Sequence, residues 1–162
     1  MTGPDRDGEP SRAVDALAVL AGARALRWRV KDTFRSYVQR SGGSVQLVQP
    51  VEVDDDAFRF PRGPGDDVRF TGGVLFRAHA GFLNVLVAEP SLRPIASGLG
   101  LFVSHPSAPE SFGDQWCLAD VDPGAAGGGT ARLHTRLTAE GAAYFGGVYA
   151  EGMELDPLEI EL

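Results

Sequence analysis

The chain has 162 residues, 43% hydrophobic and 23% charged, long enough to bury one continuous core and ordinary for a globular protein. A formal net charge of −7 argues against nucleic acid and against anionic membrane surfaces, because both reward a basic face. Cys117 is the only cysteine, which excludes an internal disulfide and with it the class of small disulfide-stapled secreted scaffolds.

Residues 1–10 are acidic and poor in apolar side chains and read as a disordered start, leaving residues 11–162 as one domain. A signal peptide needs a basic start followed by an apolar run, and the longest apolar stretch, around Ala16 to Ala21, is too short to span a bilayer. The expectation is a cytoplasmic protein. Ser11 can cap a short helix, with Val14, Leu17 and Ala18 on one face and Gly22 at its end. A second helix is marked by Val30, Phe34, Tyr37 and Val38 at i, i+4, i+7 and i+8, a single apolar stripe. Arg27, Lys31 and Arg35 fall on a neighbouring stripe, and Gly42-Gly43 stops the run. From Val45 the pattern changes to short alternating stretches broken by Gly, Pro and Asp, the signature of an antiparallel β-sandwich or barrel. Strands are expected at Val45–Val53, Ala57–Phe60, Val68–Ala78, Phe82–Ala88, Leu99–Ser104, Gln115–Val121, Thr130–Leu137 and Leu158–Leu162. Pro123 to Gly129 reads as a hairpin loop, and Thr138 can cap a helix from Ala139 to Phe145 that Gly146-Gly147 closes. The fold class is therefore mainly β, a sandwich- or barrel-like antiparallel domain with two or three short helices.

General chemical motifs are missing. The sequence contains neither a phosphate-binding G-x-x-x-x-G-K-[ST] loop nor a G-x-S-x-G elbow. His79, His105 and His134 lack the close spacing of a zinc site. Asp54-Asp55-Asp56 and Asp66-Asp67 lack the alternation and closing glutamate of a calcium loop and read as solvated turns. Cys117, beside Trp116 and Leu118, reads as an inert strand residue.

Longer strings are more specific. Leu26-Arg27-Trp28-Arg29-Val30-Lys31-Asp32-Thr33-Phe34-Arg35-Ser36-Tyr37-Val38 resembles the opening signature of the HtaA family of haem-binding domains. Val68 through Leu83, containing Phe76-Arg77-Ala78-His79-Ala80-Gly81, is similar to the family's second signature. Leu137 through Phe145 and Leu155-Asp156-Pro157 resemble its closing block. The three blocks occur in order and cover the chain from about Leu26 onward. The resemblance implies a β-rich fold with haem in a surface pocket, Tyr37 as the iron ligand and His79 hydrogen-bonded to it. Two positions depart from the family pattern: Arg29 and Ala78 stand where glycine is usual, and the loop after Tyr37 is shortened. The family's usual export signals and membrane anchors are also not found here.

Such a site would suit ferric haem b. A phenol with a pKa of about 10 becomes a useful ligand near neutrality only when something stabilises its anion. A ferric ion does so directly, and an imidazole N–H donor adds to it. Phe34, as an apolar wall, and Arg35, as a partner for a propionate, complete the expected binding set. For Arg35 and Lys31 a solvated helix face is the alternative, and for Phe34, Phe76, Phe82, Tyr144 and Tyr149 it is core packing. One functional reading is a carrier or buffer of haem. The other is a cytoplasmic biosynthetic enzyme whose pocket takes another hydrophobic small molecule, with Tyr37 and His79 as a proton-transfer pair. The oligomeric state is left open, a homodimer included.

Overall fold

The computed structural model describes residues 13–104, 115–122, 126–127 and 129–162. The expected disordered start, the Ser11 cap and His105 lie outside the described residues. The sequence alternates where one sheet face is buried. In Thr130–Leu137 (β12), Ala131, Leu133, Thr135 and Leu137 point inward while Thr130, Arg132, His134 and Arg136 stay exposed, the period of two that a half-buried strand imposes.

All strand pairing among the described residues is antiparallel. The larger sheet is ten-stranded. It runs through Glu52–Asp54 (β3), Ala57–Pro61 (β4), Ala25–Trp28 (β1), Glu154–Glu161 (β13), β12, Gln115–Asp122 (β10), Gly98–Ser104 (β9), Ser91–Ile95 (β8) and Val68–Arg69 (β5), with Ala126–Gly127 (β11) beside β12. The smaller sheet joins Ser44–Val48 (β2), Gly73–Ala78 (β6) and Leu83–Ala88 (β7). Among the described residues three α-helices accompany the sheets, residues 13–20 (α1), Asp32–Arg40 (α2) and Ala139–Tyr144 (α3), with a single 3-10 turn at His79–Gly81. The expectation of a mainly antiparallel β domain with few short helices holds, and the sheets do not close into a barrel.

Several expected elements shift, each for a local reason. The second helix begins at Asp32, because Ala25–Trp28 is a strand paired on both sides, with β4 and β13. Val30 then takes a left-handed φ of 66°, a conformation costly for a β-branched residue, and turns the chain into α2. In α1 the inward residues are Ala13, Leu17 and Leu20, whereas Val14 and Ala18 face solvent. The run Val45–Val53 divides into β2 and β3, which belong to different sheets. Val68–Ala78 likewise divides between β5 and β6 at Gly72, whose φ of 90° is open to glycine and strained for other residues. Strand β8 was not expected from its proline-containing sequence. Strand β13 starts earlier than expected and accommodates Pro157 at a bulge, where Leu133 and Thr135 of β12 face Leu158 and Leu155 and no ladder N–H is required. Of the expected Pro123–Gly129 loop, Ala126–Gly127 pairs with β12; residues 123–125 and 128 lie outside the described residues.

Helix α2 is held in place from several sides. Phe34 and Val38 are its buried face. Phe34 meets Phe76 of β6 at 5.2 Å and Phe145, just past α3, at 4.8 Å, both edge-on, the geometry that aromatic quadrupoles favour. At its N-terminus the Asp32 backbone N–H donates to Asp156 Oδ2 at 3.0 Å, satisfying one of the donors a helix start leaves open. The Asp156 carbonyl accepts from Trp28 Nε1 at 2.6 Å, so one residue of β13 ties β1 and α2 together.

Candidate functional site

Tyr37 and Thr33 are four residues apart on α2, hence on one face of the helix. Both face a surface that the buried Phe34 and Phe145 support from below. Tyr37 Oη lies 2.6 Å from His79 Nε2, with ring centroids 5.6 Å apart. Thr33 Oγ1 lies 2.6 Å from Tyr149 Oη. Tyr149 in turn touches Phe34 at 6.2 Å and Phe145 at 5.9 Å between centroids. The result is a strip of polar heads, Tyr149, Thr33, Tyr37 and His79, on an aromatic bed. Tyr37 is half-buried and His79 exposed, so the strip opens to solvent.

His79 arrives through unusual backbone. It follows β6 and begins a turn in which the Phe82 N–H donates to the His79 carbonyl at 3.1 Å. His79, Ala80 and Gly81 have φ of 53°, 55° and 91°. Two successive non-glycine residues in the left-handed region are uncommon and cost of order 1–3 kcal/mol each, and such strain gathers at functional sites. Ala78, where the family has glycine, sits at φ −149°, an extended backbone any residue adopts. Arg29 takes the other glycine position, and the left-handed residue is its neighbour Val30.

The other expected site residues divide. Phe34 is fully buried and stacks beside Tyr37 at 6.2 Å, so it backs the tyrosine and does not line an open wall. Arg35 is not brought to the strip. It donates from Nη1 to the Asp56 carbonyl at 2.6 Å and from Nη2 to Asp56 Oδ1 at 3.3 Å, and its guanidinium lies 4.8 Å from the Phe58 ring centroid. Two residues from Tyr37 on a helix means roughly 200° around it, so Arg35 serves the β3–β4 turn instead. The Asp54–Asp56 turn is accordingly occupied with Arg27 and Arg35.

Tyr144 and Phe76 pack as expected: Tyr144 Oη accepts from the Leu86 N–H at 2.8 Å, and burial raises its pKa against the lowering effect of its backbone hydrogen bond. Cys117 is half-buried, and burial pushes its thiol up to about 11, which keeps it protonated and unreactive near neutrality. Phe82 does not pack. It is 93% exposed.

Thr33 and Tyr149 were missed as site residues. The i, i+4 spacing from Tyr37 was available for Thr33, whereas nothing local singles out Tyr149, which reaches the strip only through the tertiary fold. Burial raises the Tyr149 pKa, the Thr33 hydrogen bond lowers it and the Asp156 charge raises it further; this hydroxyl is a neutral donor or acceptor over a wide pH range.

A family model described as Htaa matches residues 23–161. Comparison with curated proteins gives no match. Among solved structures, the C-terminal domain of HtaA from Corynebacterium glutamicum superposes with a TM-score of 0.66 at 19% identity, covering 84% of this chain and 93% of that one. The N-terminal domain of HtaA from the same organism gives 0.65 at 24% identity, over 87% and 97%. The heme binding protein HtaB from the same organism gives 0.61 at 18% identity, over 86% and 91%. At these identities the likeness is one of fold.

Proposed function

The chain belongs to the HtaA family, and from that premise we propose that it binds haem, holding ferric haem b through the Tyr37 phenolate. The observation that carries the reading is the 2.6 Å contact between Tyr37 Oη and His79 Nε2, at a surface where Tyr37 is half-buried and His79 exposed. A bound ferric ion supplies the Lewis acid that makes a phenolate stable near neutrality. With haem bound, the His79 Nε2–H would donate to the phenolate oxygen, orienting the ring of Tyr37 and keeping its anion in place. The left-handed backbone of His79 and Ala80 fixes the imidazole where this is possible. Thr33, one helical turn along α2 from Tyr37, and Tyr149, hydrogen-bonded to it, offer neutral hydroxyl donors to the carboxylates of such a ligand. A hard anionic oxygen favours ferric over ferrous iron, so carriage or buffering of oxidised haem fits these residues better than oxygen binding does.

Haemin titration followed by visible absorption tests the reading. The parent should develop high-spin ferric charge-transfer bands of a tyrosinate complex. Tyr37→Phe should lose them while keeping its fold, since only the oxygen is deleted. His79→Ala should retain them with affinity weakened about 10–100-fold, as losses of such orienting partners typically do. If His79→Ala abolishes binding while Tyr37→Phe binds normally, histidine is the ligand. If the parent ignores haemin altogether, the pair is better read as a proton relay for another hydrophobic substrate.

A further inference from the structure

Among the described residues Phe82 is the most exposed large apolar side chain, 93% exposed, although the sequence places it at the head of an apolar strand. A single exposed apolar residue is ordinary. This one is set apart by its position. It closes the same four-residue turn that presents His79, through the Phe82 N–H to His79 carbonyl hydrogen bond of 3.1 Å, which keeps the two Cα atoms within about 7 Å. The turn holds His79, Ala80 and Gly81 all at positive φ. Its stem is fixed as well, because Ala78 pairs with Leu83 and Leu83 packs against the core. A strained, well-anchored turn thus carries two aromatic side chains, one engaged with Tyr37 and one, Phe82, 93% exposed with no ring contact among the described residues.

We propose that Phe82 is a ligand-contacting residue of the Tyr37 site, an aromatic flap whose ring covers part of the apolar face of the bound macrocycle and slows its release. This rests on the haem reading above and adds to it a residue that supplies affinity without touching the iron. The chemistry is that of an apolar ring leaving water for a flat apolar partner. Covering one face of a phenyl group corresponds to roughly tenfold in affinity. Because related complexes differ chiefly in dissociation, the effect belongs in the off-rate.

The test measures haemin affinity and the rate of haemin transfer to an excess of apomyoglobin for the parent, Phe82→Ala, Phe82→Trp and, as a control on an exposed residue of β3, Val53→Ala. Phe82→Ala is expected to release haemin about tenfold faster with the charge-transfer bands unchanged, Phe82→Trp to match the parent, and Val53→Ala to have no effect. Thermal unfolding of the ligand-free variants should coincide with that of the parent, because a ring 93% exposed has little packing to lose. A Phe82→Ala variant with parental affinity and off-rate overturns the proposal while leaving Tyr37 ligation intact. So does one whose bands change, since the ring would then be acting through the iron ligand. A parent that fails to bind haemin overturns the haem reading and this proposal together.

Discussion

Tyr37 and Phe34 differ by three positions on one short helix and do opposite work. Tyr37 is half-buried, with its hydroxyl committed to His79; Phe34 is fully buried among Phe76, Phe145 and Tyr37. Deleting the Tyr37 oxygen removes one partly solvated hydrogen bond, worth about 0.5–1.5 kcal/mol. Deleting the Phe34 ring leaves a cavity at the point where α2, β6 and the end of α3 meet. Phe34→Ala should therefore destabilise the fold by about 3–5 kcal/mol and lower the denaturation midpoint in urea accordingly. A loss below about 1 kcal/mol would mean that the aromatic cluster is not what seats the helix. Both residues were visible in one sequence string, but their separate roles follow from which side of the helix meets the small sheet.

Helix α3 shows the same logic at the scale of an element. Thr138 caps it, accepting from the Gly141 N–H at 3.0 Å and donating towards the Cys117 and Leu118 carbonyls at 2.9 and 3.1 Å, so one hydroxyl starts the helix and locks it to β10. Gly141 in its middle contradicts helix propensity, where alanine is preferred by about 1 kcal/mol. The reason is close approach: a Cβ at Gly141 would run into the Leu118 carbonyl oxygen and crowd Leu137. Gly141→Ala should thus destabilise, by about 1–3 kcal/mol, where an exposed helix would gain. Chemical denaturation decides the sign, and a stabilised variant would show that α3 can move off β10 without cost. The Thr138 cap was legible from sequence because capping is local; the need for Gly141 was not, because the clashing carbonyl belongs to a strand twenty-three positions earlier.

At the scale of the molecule, the large sheet is held across its strands by charge as well as by its ladder. Arg59 of β4 and Glu161 of β13 flank β1 and meet at 2.9 Å. That hydrogen bond lowers the Glu161 pKa against the raising effect of partial burial, and the same bond raises that of Arg59. Because the folded-state pKa of Glu161 lies below its unfolded value of about 4.3, the pair stabilises above that pH and is lost as pH falls through the folded value. Both side chains are partly solvated, which limits the contribution to about 1 kcal/mol or less. Glu161→Gln should accordingly lower stability slightly at neutral pH and converge with the parent at acid pH. Thermal unfolding at several pH values checks this, and a constant difference down to the most acid point would remove Glu161 from the pH response.

The sequence by itself determined the class of fold, the helix bearing Tyr37 and the capped α3, because these rest on local periodicity and caps, while Tyr37 and His79 became a candidate pair only through the resemblance of the ordered motif strings to the HtaA family. The sequence placed Arg35 at the site, Phe82 in the packing and Arg27, part of the strand Ala25–Trp28, on a helix face. The tertiary structure decided otherwise in each case. Arg35 turns to Asp56 because the β3–β4 turn brings a carboxylate to its side of α2. Phe82 is left in water by a turn whose backbone runs left-handed. Residues Ala25–Trp28 form a strand because β4 and β13, distant in sequence, satisfy its backbone on both edges. Tyr149 joins the strip beside Thr33 for a reason of the same kind. A residue's own neighbours fix its preferred conformation, but the partners that override that preference come from far along the chain and meet it only once the sheets have formed.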